Sequence, residues 1–128
     1  MFEMALYSAF APFALLLLAS VWQYPAVLEE VVKWGILRLG IDDLRFRVYD
    51  GAVVGLVFGL SEAMLFTTNA WMSGDWRAIG VRLILTVPMH ILTAVLISWA
   101  LKYKVGYLGL AGAMIIHAGF NYLVGLTA

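Results

Sequence analysis

The sequence predicts an all-α membrane protein, a bundle of about five transmembrane helices. Of its 128 residues, 64% are hydrophobic and only 12% are charged, whereas about 25% of the residues in a soluble domain are charged. One span needs about 20 apolar residues, so the length allows five spans and no separate soluble domain. Any function is therefore expected to lie inside the bundle.

Apolar runs divide the chain into five predicted spans, which form a single domain over residues 1–128. Pro25 suits the first turn of the second helix, and Gly40 suits its end. The polar segments IDDLRFRVYD, MSGDWRAIG and KYKVGY are predicted as connections. The spans are placed at residues 4–21, 24–39, 51–72, 81–101 and 107–126.

The first span is apolar on all sides and is expected to face lipid as scaffold. The N-terminal segment MFEMALYSAF has an acidic residue and no basic stretch, and further spans follow it, so we predict a retained span rather than a cleaved signal peptide. Lys and Arg concentrate in cytoplasmic loops, which predicts a multi-pass protein of the cell membrane with a cytoplasmic N-terminus. Apart from Lys33 inside the second span, the basic residues are Arg38, Arg45, Arg47, Lys102 and Lys104 on the predicted cytoplasmic side, and Arg77 and Arg82 on the other.

The composition of the chain excludes some classes of partner and cofactor. Net charge is zero and no basic run is present, so nucleic acid is not an expected partner. The lipid bilayer is the expected surroundings. The chain has no cysteine, which excludes disulfides and thiolate metal sites.

Ionisable side chains within the predicted spans are the main functional signal. Such groups are expensive at membrane depth and mark functional sites by default. Counted from the outer ends of their spans, Glu62, His90 and His117 lie about ten residues deep, or roughly 15 Å. Glu30 lies slightly nearer the outer face. The polar residues inside the spans are Glu29, Glu30, Lys33, Glu62, His90, His117 and Asn121.

Helical spacing groups these residues further. Lys33 lies three residues after Glu30 and four after Glu29, so it can pair with either carboxylate. His117 and Asn121 share a face at the same four-residue spacing. Each pattern alone also fits a structural role, either as a buried ion pair or as a hydrogen bond between helices.

Two backbone features accompany the polar layer. Gly51, Gly55 and Gly59 form a ridge of small residues that lets another helix approach closely. Pro88 removes a helical hydrogen bond two residues before His90, which predicts a kink that directs this histidine.

The combination of residue types suits amide hydrolysis by an activated water molecule. A carboxylate serves as general base, and a histidine or an asparagine amide stabilises an oxyanion. No cysteine is present, and no GxSxG surrounds Ser61, so a covalent nucleophile is not expected.

These motifs resemble those of the PrsW-type glutamic intramembrane proteases. EEVVK at residues 29–33 is similar to their EExxK motif, and FGLSE at 58–62 to their FxxxE motif. HAGFN at 117–121 resembles the histidine motif of the last span, which the related CAAX-prenyl endopeptidases and bacterial Abi proteins share in style. Such proteins usually have more spans. This chain is therefore either a minimal catalytic core or completes its cavity as a homo-oligomer.

The resemblance implies an endopeptidase that cuts a small single-span membrane protein without a cofactor. Glu29 and Glu30 would activate water, His90 and Glu62 would position it, and Lys33 would hold the glutamate pair. His117 and Asn121 would stabilise the oxyanion.

Three alternatives stay open at the level of sequence. Glu62, His90 and His117 could form a two-histidine, one-carboxylate zinc site, although no HExxH is present. The same residues could form the relay of a proton-coupled transporter or channel module. A non-catalytic assembly or immunity protein could use them to recognise a partner helix.

Overall fold

Every regular element of the described chain is helical, which confirms the all-α class. The computed structural model describes residues 1–19, 24–40, 47–74 and 76–124. Within these ranges there are five long helices and one short one. They are α1 (Phe2–Ala19), α2 (Pro25–Gly40), α3 (Arg47–Ser73), the short α4 (Trp76–Val81), α5 (Val87–Lys102) and α6 (Gly106–Val124).

Three stretches are long and apolar enough to cross a bilayer, which indicates a membrane protein. They are Val48–Thr68 in α3, Leu83–Lys102 leading into and through α5, and Gly106–Val124 in α6. The apolar helix α1 is shorter, and α2 has only 16 residues with several charges among them. Membrane crossing by α1 and α2 therefore stays a prediction, as does the orientation.

Two predicted connections are wrong in part. The first was placed at residues 41–50, yet α3 already begins at Arg47; residues 41–46 lie outside the described chain. The second, at 72–80, contains the whole first turn of α4. Gly74 ends α3 in the left-handed region with φ 73°, and the WRAIGV segment then resumes a helix. A single glycine permits this sharp turn because it has no Cβ.

A π-helical stretch, Arg82–Thr86, joins α4 to α5. It directly precedes Pro88, which lies in the first turn of α5. Proline cannot donate the normal helical hydrogen bond, and a local widening of the helix accommodates this loss. The irregularity falls one turn before His90, in the segment where the sequence predicts a kink.

Helix α5 is the centre of the bundle and contacts α2, α3 and α6. Its most extensive interface is with α3, and the glycine ridge lies in it. A Cβ at Gly51 would lie 2.7 Å from the Ala94 carbonyl oxygen, and one at Gly55 would lie 2.6 Å from Ile91 Cα. Because Gly51 faces Ala94 while Gly59 faces Val87, the two helices are antiparallel.

The bundle has an apolar core, and aromatic pairs lie at both of its ends. Near the start of α1, the end of α2 and the end of α5, an apolar core packs tightly. Aromatic pairs lie at opposite ends of the antiparallel α3 and α5, with Trp71 on Trp76 at one end and Trp99 on Tyr103 at the other. Such aromatic residues concentrate at the two membrane surfaces. The buried apolar core is formed by Met4, Leu37, Val54, Ala94, Ile97, Leu101 and Ala113.

Substituting Gly55→Ala is expected to destabilise the bundle. The new methyl group would meet the backbone of α5 at His90 and Ile91, and such overpacking costs about 1 to 3 kcal/mol. The measurement is the unfolding midpoint in detergent micelles. Gly119→Ala is the matched control, because nothing lies within 4 Å of a Cβ at Gly119. Equal midpoints for the two variants would contradict the close packing of α3 on α5.

Candidate functional site

The polar residues of four helices meet in one buried cluster. Charged groups inside a membrane protein have to pair with one another or line a polar cavity, and here they do the former. The cluster is formed by Glu29, Glu30 and Lys33 of α2, Glu62 of α3, His90 of α5 and His117 of α6.

Lys33 lies at the centre of this cluster and is fully buried. Its Nζ donates to Glu30 Oε1 at 2.5 Å and to Thr93 Oγ1 at 2.8 Å. The same nitrogen lies 3.1 Å from His90 Nδ1. An ammonium has three donors, so all three are used, and the buried cation is satisfied by α2 and α5 together. Of the two adjacent glutamates, Lys33 therefore pairs with Glu30.

His117 connects the two adjacent glutamates. Its Nδ1 lies 2.7 Å from Glu30 Oε1, within hydrogen-bond distance. Its Nε2 lies 3.6 Å from Glu29 Oε2, which is too long for a direct hydrogen bond. A carboxylate accepts hydrogen bonds, so Glu30 favours the proton on Nδ1. Nε2 is then the nitrogen directed at Glu29.

His90 is held from both sides of its ring. Its Nε2 is hydrogen-bonded to Glu62 Oε2, and its Nδ1 faces the Lys33 ammonium. These partners favour a neutral ring with the proton on Nε2. The ring packs edge-on against His117, with the centroids 5.1 Å apart. His90 thus ties α3 to the network on α2 and α6.

Local backbone features explain why His90 occupies this position. A Cβ at Gly59 would lie 3.2 Å from His90 Cδ2, so a larger residue there would push the ring aside. Phe58, fully buried, lies on the same stretch of α3 and contacts the His90 ring at 5.3 Å between centroids. Lys33 Nζ is also 5.3 Å from the Phe58 ring centroid, a cation–π distance.

Two carboxylate oxygens in the cluster are buried without a hydrogen-bond partner in the described chain, Glu29 Oε2 and Glu30 Oε2. An unsatisfied buried acceptor costs about 1 to 3 kcal/mol. Such groups in a native structure point to a ligand, an ion or a water molecule. Glu29 is also the more accessible of the pair, with its side chain 15% exposed against 0% for Glu30.

The described residues that could hold a metal ion together are Glu29, His90 and His117. Their ligand atoms all lie within 4.8 Å of one another. In the sequence-based zinc alternative the carboxylate was Glu62, but that side chain bonds to His90 instead. Both nitrogens of His90 are already engaged, and Lys33 would repel a cation at Nδ1.

Two residues considered at the sequence level lie apart from the network. Asn121 is partly exposed one turn beyond His117, and it makes no hydrogen bond within the described chain. Its role at an oxyanion stays a prediction. The Ser61 hydroxyl donates to the Val57 carbonyl of its own helix at 2.8 Å, which is the usual position of a helical serine.

Thr93 is the participant that sequence reasoning missed. Its buried hydroxyl accepts from Lys33 and lies 3.2 Å from the His90 carbonyl oxygen. The available signal was its spacing, since Thr93 lies three residues after His90 and therefore on the same helix face.

Comparisons with known protein families, with characterised proteins and with solved structures find no match to this chain. The resemblance of EEVVK, FGLSE and HAGFN to glutamic intramembrane proteases stays a prediction. A functional interpretation therefore depends on the chemistry of the cluster.

Substituting Lys33→Met is expected to lower the free energy of unfolding by about 3 to 5 kcal/mol, because Glu30 is left as an uncompensated buried charge. Lys102→Met is the matched control on an exposed lysine. Adding Glu30→Gln to Lys33→Met should restore most of the loss, since the unpaired charge disappears. Denaturant unfolding in micelles measures all three variants. A double variant no more stable than Lys33→Met would contradict the pairing.

Proposed function

We propose that this protein is a glutamic-type intramembrane endopeptidase. Glu29 is the general base, and the observation that supports it is the buried Glu29 Oε2, which has no partner in the described chain and lies 3.6 Å from His117 Nε2. The two atoms are too far apart for a direct hydrogen bond, and a water molecule beside the pair can bond to both.

The two glutamates have different surroundings, which supports different roles. Glu30 Oε1 receives hydrogen bonds from Lys33 and His117, so this carboxylate is held as a charged structural partner. Glu29 has no such donor within hydrogen-bond distance in the described chain. A base needs a free oxygen within reach of its water. Glu30 Oε2 also has no partner in the described chain, but the Glu30 side chain is fully buried, whereas that of Glu29 is 15% exposed.

The proposed reaction is hydrolysis of a peptide bond by one water molecule. Glu29 Oε2 takes a proton from the water as the water oxygen bonds to the peptide carbonyl carbon. The tetrahedral oxyanion then collapses, the carbon–nitrogen bond breaks, and Glu29 returns the proton to the leaving amine. The products are one carboxylic acid and one amine, and the enzyme ends in its starting protonation state.

The remaining residues position the reacting groups. Because His117 Nδ1 donates to Glu30, Nε2 donates to the oxyanion only when both ring nitrogens carry a proton. Asn121 lies one turn away on the same helix and supplies the second donor. His90, fixed by Glu62 and Lys33, lies edge-on to His117 and limits its movement. Lys33 acts through Glu30 and is a positioning residue.

The substrate class follows from the location of the cluster. The site lies between α2 and the helices α3, α5 and α6, and these three are long and apolar enough to cross a membrane, so the peptide has to reach it from the bilayer. A small single-span membrane protein suits this access. In the proposed multi-pass topology with a cytoplasmic N-terminus, cleavage occurs nearer the outer membrane face.

A proton-coupled transporter or channel module is the second candidate function. The observation that favours it is the unbroken series of polar contacts from Glu62 through His90, Lys33 and Glu30 to His117. This candidate requires proton flux into liposomes that carry a pH gradient. Flux without proteolysis would replace the protease proposal, whereas proteolysis without flux would support it.

Substituting Glu29→Gln is expected to reduce proteolysis by about 100-fold or more, because an amide cannot take the proton from water. The assay uses purified protein reconstituted with a panel of single-span reporter proteins that carry a tag at each end. Wild-type protein should release two tagged fragments from at least one reporter.

Glu3→Gln is the matched control, because Glu3 is exposed on α1 and should retain full cleavage. Helical content and the unfolding midpoint of Glu29→Gln should equal those of the wild type. Cleavage that persists in Glu29→Gln, or a panel that wild-type protein leaves intact, would contradict the proposal.

Chelators are expected to leave proteolysis unchanged, since His90 is engaged at both ring nitrogens and Lys33 lies 3.1 Å from one of them. The measurement compares cleavage before and after incubation with 1,10-phenanthroline and with EDTA. Loss of cleavage that added zinc restores would show instead that Glu29, His90 and His117 form a metal site.

A further inference from the structure

A pocket with a volume of about 420 Å³ lies toward the C-terminal end of α2, away from Glu29 and Glu30. Arg38 is eight residues after Glu30, or about 12 Å along the helix, so the two sites are separate. The pocket opens between the end of α2, the α5–α6 turn and the start of α6. Its lining residues are Trp34, Arg38, Leu39, Leu101, Lys104, Gly106 and Tyr107.

The polar groups of this pocket are suited to an anion. Two of its described lining residues are basic, Arg38 and Lys104, and none is acidic. Trp34 Nε1, a hydrogen-bond donor only, is buried without a partner in the described chain. Arg38 lies over the Trp34 ring, with Cζ 5.4 Å from its centroid, which holds the guanidinium at the pocket.

The backbone at Lys104 is in an unusual conformation for lysine. Its φ is 62°, in the left-handed region, where glycine or asparagine normally ends a helix. The conformation is held by hydrogen bonds from Lys104 N to Leu101 O at 3.2 Å and from Val105 N to Ala100 O at 2.9 Å. Strained backbone of this kind clusters at ligand sites. The strain is accounted for if the Lys104 side chain is needed at the pocket.

Gly106 lies against the Trp34 donor. A Cβ at this position would lie 3.4 Å from Trp34 Nε1 and 2.7 Å from Leu101 Cδ2. A larger residue here would therefore crowd Trp34 and Leu101, two residues that line the pocket. The start of α6 adds favourable electrostatics, since the N-terminal end of a helix attracts negative charge.

We propose that this pocket binds the phosphate group of an anionic phospholipid. The apolar part of the lining favours a lipid over a free anion. Leu39 and Tyr107 are 87% and 73% exposed and would contact the acyl chains and glycerol of the lipid. Tyr103 and Trp99 form an aromatic pair at the end of α5, as aromatic residues do at a membrane surface, and Leu101 and Lys104 of the same segment line the pocket. Basic pockets between membrane helices are known to bind such headgroups.

The test uses the purified protein and three ligands, phosphatidylglycerol, phosphatidylcholine and inorganic phosphate. Binding of each ligand is measured by native mass spectrometry and by the shift in unfolding temperature. We expect phosphatidylglycerol to bind and to raise that temperature, and phosphatidylcholine and phosphate to bind at least tenfold more weakly. Equal binding of inorganic phosphate would overturn the lipid assignment, and equal binding of both lipids would overturn the anion site.

Variants connect the binding to the pocket. Arg38→Gln with Lys104→Gln should weaken phosphatidylglycerol binding about thirtyfold, at about 1 kcal/mol for each basic side chain. Lys102→Gln is the matched control, since Lys102 precedes the same turn without lining the pocket, and it should bind like the wild type. Trp34→Phe keeps the ring and removes the donor, and should weaken binding a few-fold.

Lys104→Gly separates the ligand role from a structural one. Glycine relieves the left-handed strain, so the lipid-free protein should unfold a few degrees higher while its binding of phosphatidylglycerol decreases. A Lys104→Gly protein that binds the lipid like the wild type would overturn the proposal. So would a loss of binding in Lys102→Gln as large as in the double variant.

Discussion

The polar half of this bundle depends on one buried cation, the ammonium of Lys33. An unpaired charge in a low-dielectric interior costs several kcal/mol, a large fraction of the roughly 5 to 15 kcal/mol by which most proteins are stable. Its three donors are satisfied by Glu30, His90 and Thr93, which ties α2 to α5. Glu30 extends the network to His117 on α6, and His90 extends it to α3. The relative rotation of four helices is therefore constrained by the partners of one side chain.

The glycine ridge of α3 is the steric condition that allows this network. Between membrane helices little hydrophobic force operates, so close packing and hydrogen bonds hold them together. Gly55 and Gly59 let the backbone of α5 approach until Glu62 reaches the His90 ring. The π-helical stretch Arg82–Thr86 precedes this contact, and the irregular helix geometry is thus concentrated where His90 has to be directed.

The two adjacent glutamates, Glu29 and Glu30, have different surroundings in the network. Two donors hold Glu30 Oε1, whereas no donor in the described part of the chain holds Glu29, whose buried Oε2 lies opposite His117. This asymmetry is what gives adjacent glutamates separate roles in the proposed hydrolysis. The basic pocket around Arg38 and Lys104 lies toward the C-terminal end of α2. A headgroup bound there would fix the depth of α2 in the bilayer, and with it the depth of the reacting groups.

Composition alone determined the membrane class, and helical spacing alone determined that Lys33 could reach Glu30, because both properties are local to the chain. The layer of ionisable groups on four spans was also visible in the sequence. The tertiary structure decided their partners: Thr93 and His90 for Lys33, Glu62 for His90, and Glu30 for His117. It also revealed α4 within a predicted loop. Such partners depend on how each helix is rotated and how helices cross, and these are set by packing between distant segments, which no local pattern encodes.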